Sequence, residues 1–167
     1  IAVQLHDNDP EGLKRGLKVI EGNYARTVAK GRLSQAAMDQ RMALIEPADS
    51  LEAFDQADVV VEAVYENLDL KKEIFAKLDG IMKPGALLAS NTSGLDIDAI
   101  AASTSRPEFV CGMHFFSPAN VMRLLEVVRG AKSSPEALGT AMALGKRLGK
   151  VSVMAGNCPG FIGNRMI

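Results

Sequence analysis

The sequence predicts an α/β domain with a mainly parallel, doubly wound sheet, on three observations. Strand-like and helix-like segments alternate along the whole chain. Residues 57–64, with Val59, Val60 and Val61 at the centre, form a continuous apolar run, the pattern of a strand covered on both faces. Asp7, Glu66, Ser93 and His114 fall at or just after the ends of predicted strands. In open α/β sheets, ligands sit outside those carboxyl ends.

The elements follow in order. Ile1-Ala2-Val3-Gln4-Leu5 reads as a strand closing on the polar turn His6-Asp7-Asn8-Asp9. Over residues 11–30 Leu13, Leu17, Ile20, Tyr24 and Val28 recur at helical spacing until Gly31 breaks the pattern. Ser34 can cap a second helix running to about Met42. Together these make an αα-hairpin, long for a plain crossover and so expected to project. Residues 43–45 are a short apolar run and 51–54 a brief helical turn. The apolar strand at 57–64 follows. Residues 68–82 are helical, with Leu70, Ile74, Leu78 and Ile81 on one stripe, and Pro84-Gly85 stops them. Residues 86–90 form a strand, 97–102 a short helix, and 109–116 and 124–128 two further strands. A helix with Pro135 near its start covers 135–148, and 151–153 is the last strand. Asn157-Cys158-Pro159-Gly160 is read as a turn opening a terminal helix.

Composition narrows the function classes. A chain of 167 residues, 47% hydrophobic and 23% charged, can bury a sizeable core as one domain, residues 1–167. A net charge of −1 gives no support for nucleic-acid or anionic-membrane binding. No apolar run reaches the length of a bilayer span, and no signal-peptide pattern is present. Cys111 and Cys158 lack metal-ligand spacing and read as reduced core thiols of a cytosol-like compartment.

Five positions carry chemistry. Asp7 ends the first strand, where an acid can accept hydrogen bonds from an adenine-ribose and would repel a 2′-phosphate, favouring NAD over NADP. It could equally be a helix cap or turn residue. Ser93, in the turn Asn91-Thr92-Ser93-Gly94, can bond a substrate oxygen or a nicotinamide carboxamide, or simply make the turn. His114 ends an apolar strand, and Glu126 stands alone in the next one. A lone buried acid is costly without a partner. His114 is the expected partner, and a carboxylate-held imidazole is a general base near neutral pH. Asn164 would lie in the first turns of the last helix, or serve as a capping amide. No Gly-x-Gly-x-x-Gly occurs, so a first strand and pyrophosphate loop are expected upstream, the chain being read as a fragment truncated at both ends.

Val60-Val61-Glu62-Ala63-Val64-Tyr65-Glu66-Asn67, Asn91-Thr92-Ser93, Gly112-Met113-His114-Phe115-Phe116-Ser117-Pro118, Leu125-Glu126-Val127-Val128 and Pro159-Gly160-Phe161-Ile162-Gly163-Asn164-Arg165 together resemble the NAD-binding domain of L-3-hydroxyacyl-CoA dehydrogenases. The likeness covers essentially the whole chain and keeps the motif order. It implies a Rossmann-like fold, NAD as cofactor and an acyl-CoA substrate. It makes His114 the general base and Glu126 its partner, with Ser93 and Asn164 on the substrate oxygen at C3. Asp7 would hold the adenine ribose. Ala63, Glu66, Lys71, Ser93 and Ser117 would line the cofactor, with Glu66 and Lys71 on the nicotinamide-ribose side. Single-function members often carry Asn where Ser117 stands. The helical hairpin would match the family's projecting arm.

Residues 117–126 look closest to multifunctional members, which join a hydratase/isomerase domain to the dehydrogenase. The family further implies a C-terminal helical domain, usually the dimer contact, beginning near residue 160. A cytoplasmic location is expected for a bacterial protein, a peroxisome or mitochondrion for a eukaryotic one. The alternative readings are a 3-hydroxybutyryl-CoA dehydrogenase of short-chain synthesis and a non-catalytic dinucleotide-fold fragment.

Overall fold

A computed structural model describes residues 1–166. The chain divides into two compact units, Ile1–Phe54 and Asp55–Ile167.

In the first unit, β1 (Val3–Leu5) pairs in parallel with β2 (Ile45–Pro47). Between them α1 (Pro10–Ala29) and α2 (Gln35–Met42) form the expected hairpin. Asp9 caps α1 and Pro10 occupies its first turn, where a missing N–H costs nothing. Ser34 caps α2 through the amide of Ala37. Gly31 takes the left-handed backbone that ends α1, at φ 66°. No residue of α1 is fully buried, and its stripe of Leu13, Leu17, Ile20, Tyr24 and Val28 is only half-covered. That agrees with a hairpin that projects. A short 3-10 turn, Leu51–Phe54, closes the unit.

The second unit is a five-stranded sheet in sequential order: β3 (Val59–Glu62), β4 (Leu87–Ser90), β5 (Val110–Phe115), β6 (Leu124–Arg129) and β7 (Val151–Gly156). All neighbours are parallel except β5 and β6. Alternation sends Leu87, Ala89, Cys111, Met113, Leu125 and Val127 to one face, under Ala137, Leu138 and Ala141 of α5 (Pro135–Arg147). On the other face Ile97 of α4 (Ile97–Ala101) packs at Gly112, where an added Cβ would lie 2.7 Å from Val128 Cβ. Both faces are therefore covered, which is the doubly wound arrangement the alternation predicts.

The run at 57–64 differs from expectation. Only Val59–Glu62 is strand, and Val61 is 38% exposed. Among the described strands β3 pairs with β4 alone. Of the expected terminal helix the described residues contain a single 3-10 turn, Gly163–Arg165. Ile167 lies outside the described residues. Cys111 is buried, which pushes its thiol up to about 12, whereas Cys158 is only half-buried and is not a core residue.

α3 (Leu68–Ile81) carries Lys71, and a clamp fixes its far end. Arg106 donates from Nε to Asp79 Oδ1 (2.6 Å) and from Nη1 and Nη2 to the carbonyls of Lys83, Asp79 and Met82. These satisfy orphan carbonyls at the helix end. Arg106→Lys keeps the charge and loses the fork, so it should cost about 1–3 kcal/mol in denaturant unfolding. An unchanged midpoint would show that the clamp adds nothing.

Candidate active site: a histidine–glutamate pair beside a serine–asparagine pair

Antiparallel pairing places His114 of β5 directly opposite Glu126 of β6. Side chains opposite one another share a face, and here His114 Nδ1 lies 2.7 Å from Glu126 Oε2. Glu126 is wholly buried. Its other oxygen, Oε1, accepts from the backbone amides of Ile162 (2.9 Å) and Gly163 (2.8 Å). Burial opposes ionisation of this carboxyl, but the bonds from His114 and the two amides outweigh it and hold Glu126 below its ordinary value of 4.5.

The arrangement sets the tautomer of His114. An ionised Glu126 only accepts, so Nδ1 must carry a hydrogen and donate it. In the neutral ring Nε2 then keeps its lone pair. Among the described residues Nε2 has no protein partner and is not one of the fully buried atoms without one, so the ring, buried but for 7% of its residue's surface, keeps that edge accessible. Phe116 and Phe161 flank the ring, with centroids at 4.5 and 5.9 Å, and restrict its rotation. Phe161 is buried with φ at 49°, a left-handed backbone that costs a non-glycine residue about 1–2 kcal/mol.

The second pair sits one residue along the chain from the first. Gly163 bonds Glu126, and Asn164 donates from Nδ2 to the carbonyl of Ser93 (3.0 Å). Ser93 follows β4 and is exposed. Its amide (2.8 Å) and hydroxyl (3.0 Å) both donate to Glu66 Oε1, joined by Thr92 Oγ1 (2.6 Å). Burial of Glu66 raises its carboxyl, yet these bonds and Lys71 bring it below the usual range. The hydroxyl proton of Ser93 is thus committed to Glu66, and its lone pairs remain to accept.

Lys71 differs from the expectation that it lines the cofactor. It is 1% exposed, and its ammonium lies 2.6 Å from Glu62 Oε1, 3.2 Å from the Val64 carbonyl and 3.6 Å from Glu66 Oε2. Glu62 is itself buried, receiving the Ser90 hydroxyl and the Val64 amide at 2.7 Å each. Lys71 therefore holds Glu62 and Glu66 from within. Glu62, Thr92 and Asn91 were not singled out from the sequence. An acid in the apolar run Val59-Val60-Val61-Glu62 needs a partner for the same reason Glu126 does, and Lys71 is the cation on the next helix. Asn91 Oδ1 accepts the Phe115 amide (2.8 Å) and fixes the exit of β5. Ala63 and Ser117 are exposed just after β3 and β5.

Asp7, in the first unit, is not the helix cap, since Asp9 takes that place. Asp7 Oδ1 accepts the Asp9 amide (2.8 Å), and Oδ2 has no protein partner among the described residues. An added Cβ at Gly12 would stand 2.9 Å from Oδ2, so glycine there leaves that oxygen open. An exposed, unpaired carboxylate oxygen after a parallel strand fits a ribose hydroxyl donor. Among the described residues no group of three or more His, Cys, Asp or Glu could hold a metal ion, and no helix is long and apolar enough to cross a membrane.

Known proteins resemble this chain in sequence and in fold. The chain is 50% identical over its whole length to the peroxisomal bifunctional enzyme of Danio rerio, covering 23% of that protein. It is 41% identical over 99% of its length to a probable 3-hydroxybutyryl-CoA dehydrogenase of Bacillus subtilis, covering 58% of it. The crystal structure of (S)-3-hydroxybutyryl-CoA dehydrogenase from Ralstonia eutropha superposes with a TM-score of 0.96 at 36% identity, over 99% of this chain and 59% of that one. The chain thus spans less than a quarter of its bifunctional relative and rather more than half of the shorter dehydrogenases. Residues 1–158 match the family described as 3-hydroxyacyl-CoA dehydrogenase, NAD binding domain, and the chain belongs to that family.

Proposed function

We propose that this chain carries the site for NAD-dependent oxidation of L-3-hydroxyacyl-CoA to 3-oxoacyl-CoA, with His114 as general base. The observation that carries the reading is the bond from His114 Nδ1 to Glu126, which leaves the Nε2 lone pair free, with Asn164 on Ser93 next along the chain from the Glu126-bound amide of Gly163. His114 Nε2 takes the proton of the C3 hydroxyl as the C3 hydride departs. Bound NAD supplies the hydride acceptor. Glu126 orients the imidazole and balances the charge it gains. Asn164 has a second side-chain hydrogen free of Ser93 to meet the C3 oxygen, and Ser93 orients that amide through its carbonyl. In the reverse direction the protonated ring and Asn164 polarise the ketone.

Asp7 holds the adenine ribose. Ala63, Ser117 and the Glu66–Ser93 cluster would line the nicotinamide side of bound NAD, with Lys71 acting through Glu66. Asp7→Ala should raise the NADH dissociation constant about 10- to 100-fold, measured by fluorescence titration, the worth of one or two bonds to a charged group. Unchanged affinity would reduce Asp7 to a turn residue.

The likeness to the bifunctional enzyme supports a β-oxidation setting in which the dehydrogenase is fused to a hydratase/isomerase; a homodimer through a C-terminal domain is the arrangement for a free-standing dehydrogenase. A cytoplasmic location goes with a bacterial source, and a peroxisome or mitochondrion with a eukaryotic one. The Bacillus relative's name favours a second reading for the substrate, a four-carbon 3-hydroxyacyl-CoA. Turnover of NADH with acetoacetyl-CoA and with longer 3-oxoacyl-CoA thioesters by the full-length protein tests both. Consumption with acetoacetyl-CoA alone selects the short-chain reading, activity rising with acyl length selects β-oxidation, and no turnover with any thioester overturns the function.

A further inference from the structure

We propose that Glu126 positions Asn164 as well as His114, by latching the backbone of residues 161–163 onto its second carboxylate oxygen. The inference rests on the functional reading above, and it adds a task for the half of the carboxylate that the imidazole does not use.

The geometry has three parts. Glu126 Oε1 receives two successive amides, from Ile162 and Gly163, at 2.9 and 2.8 Å. A buried anion held by two adjacent N–H groups fixes the direction of the chain that carries them. Phe161, just before them, is buried against the His114 ring in a left-handed backbone that the local sequence does not favour, since it is not glycine. The latch supplies the tertiary force that holds it there. Immediately after the two amides, Asn164 reaches the Ser93 carbonyl at 3.0 Å. Chain connectivity leaves no free residue between the latch and the amide that faces the substrate. One buried carboxylate therefore registers the base and the C3-oxygen ligand against each other.

The space around the latch is closed on one side. An added Cβ at Gly163 would stand 2.7 Å from Phe116 Cζ and 3.0 Å from its Cε1. A methyl group there must push the backbone off Glu126 or the ring off its seat. Gly163→Ala thus disturbs the latch and leaves Glu126 and His114 chemically intact.

The experiment is a double-mutant cycle in the full-length protein with Gly163→Ala, Asn164→Ala and the pair. Gly163→Ala should lower kcat about 10- to 100-fold, the cost of a misplaced contact, with NADH affinity unchanged. The low-field proton signal of the His114–Glu126 bond should persist, while slow exchange of the amides at 162 and 163 is lost. Because the effect passes through Asn164, the double variant should be no slower than Asn164→Ala alone. Adding Phe116→Leu to Gly163→Ala should restore both the slow exchange and kcat to the level of Phe116→Leu. Fully additive losses in the cycle would overturn the proposal, as would normal kcat with the amides unprotected. The exchange and proton signals do not depend on turnover, so a wrong substrate would not be mistaken for a failed latch.

Discussion

Glu126→Gln should lower kcat by roughly 10²- to 10⁴-fold and weaken the fold by about 1–3 kcal/mol. The carboxylate serves three donors: Nδ1 of His114 and the amides of Ile162 and Gly163. A glutamine offers one accepting oxygen and one donating nitrogen. If its oxygen meets the two amides, its nitrogen faces Nδ1, which must then become an acceptor. The ring proton moves to Nε2 and the base is lost. If the oxygen meets Nδ1 instead, the amides face a donor and the latch opens. The same carboxylate makes stability depend on pH. Its folded value is depressed below 4.5, so its contribution is complete above about pH 4.5 and disappears as the pH falls through the folded value. Acid unfolding of wild type should therefore be steeper below pH 4.5 than that of Glu126→Gln. Parallel curves would show that Glu126 is not ionised in the fold.

Lys71→Met should destabilise the protein by about 3–5 kcal/mol, lowering Tm by roughly 6–20 °C. The substitution leaves Glu62 buried with only the Ser90 hydroxyl and the Val64 amide as partners, and removes the cation beside Glu66. Breaking one side of a buried pair costs more than the pair is worth, because the remaining charge has no water to return to. The double replacement Glu62→Gln with Lys71→Met should recover most of the loss. A thermal scan of both variants reads this directly. A single variant as stable as wild type would mean that Glu62 already has sufficient partners without the lysine.

Side chains with strong local signatures made much of this site legible in the sequence. Ser34 as a cap, the helical stripe of residues 13–28 and the stop at Gly31 are short-range signals, and the hairpin follows from them. His114 and Glu126 were joined by one argument, that an acid inside an apolar strand must have a partner. The antiparallel pairing of β5 with β6 makes them opposite neighbours. The same argument applied to Glu62 would have found Lys71. The Lys71 expectation came from family resemblance, which assigns a neighbourhood and does not say whether a side chain faces in or out.

Other features had no side-chain signal to read. The amides of Ile162 and Gly163 bind Glu126 through backbone, which every residue except proline has. The apolar pattern after Gly160 suggests a helix; the described residues there make one 3-10 turn, Gly163–Arg165, whose approach donates the amides of Ile162 and Gly163 to Glu126, 36 and 37 residues away.

The central claim is that His114 Nε2 takes the proton in an NAD-dependent dehydrogenation. Its most direct test is turnover of acetoacetyl-CoA with NADH by the full-length protein, wild type against His114→Gln, with NADH affinity measured on both. The account predicts a kcat loss of roughly 10²- to 10⁴-fold with NADH affinity unchanged. A His114→Gln protein that binds NADH and turns over near the wild-type rate would contradict it.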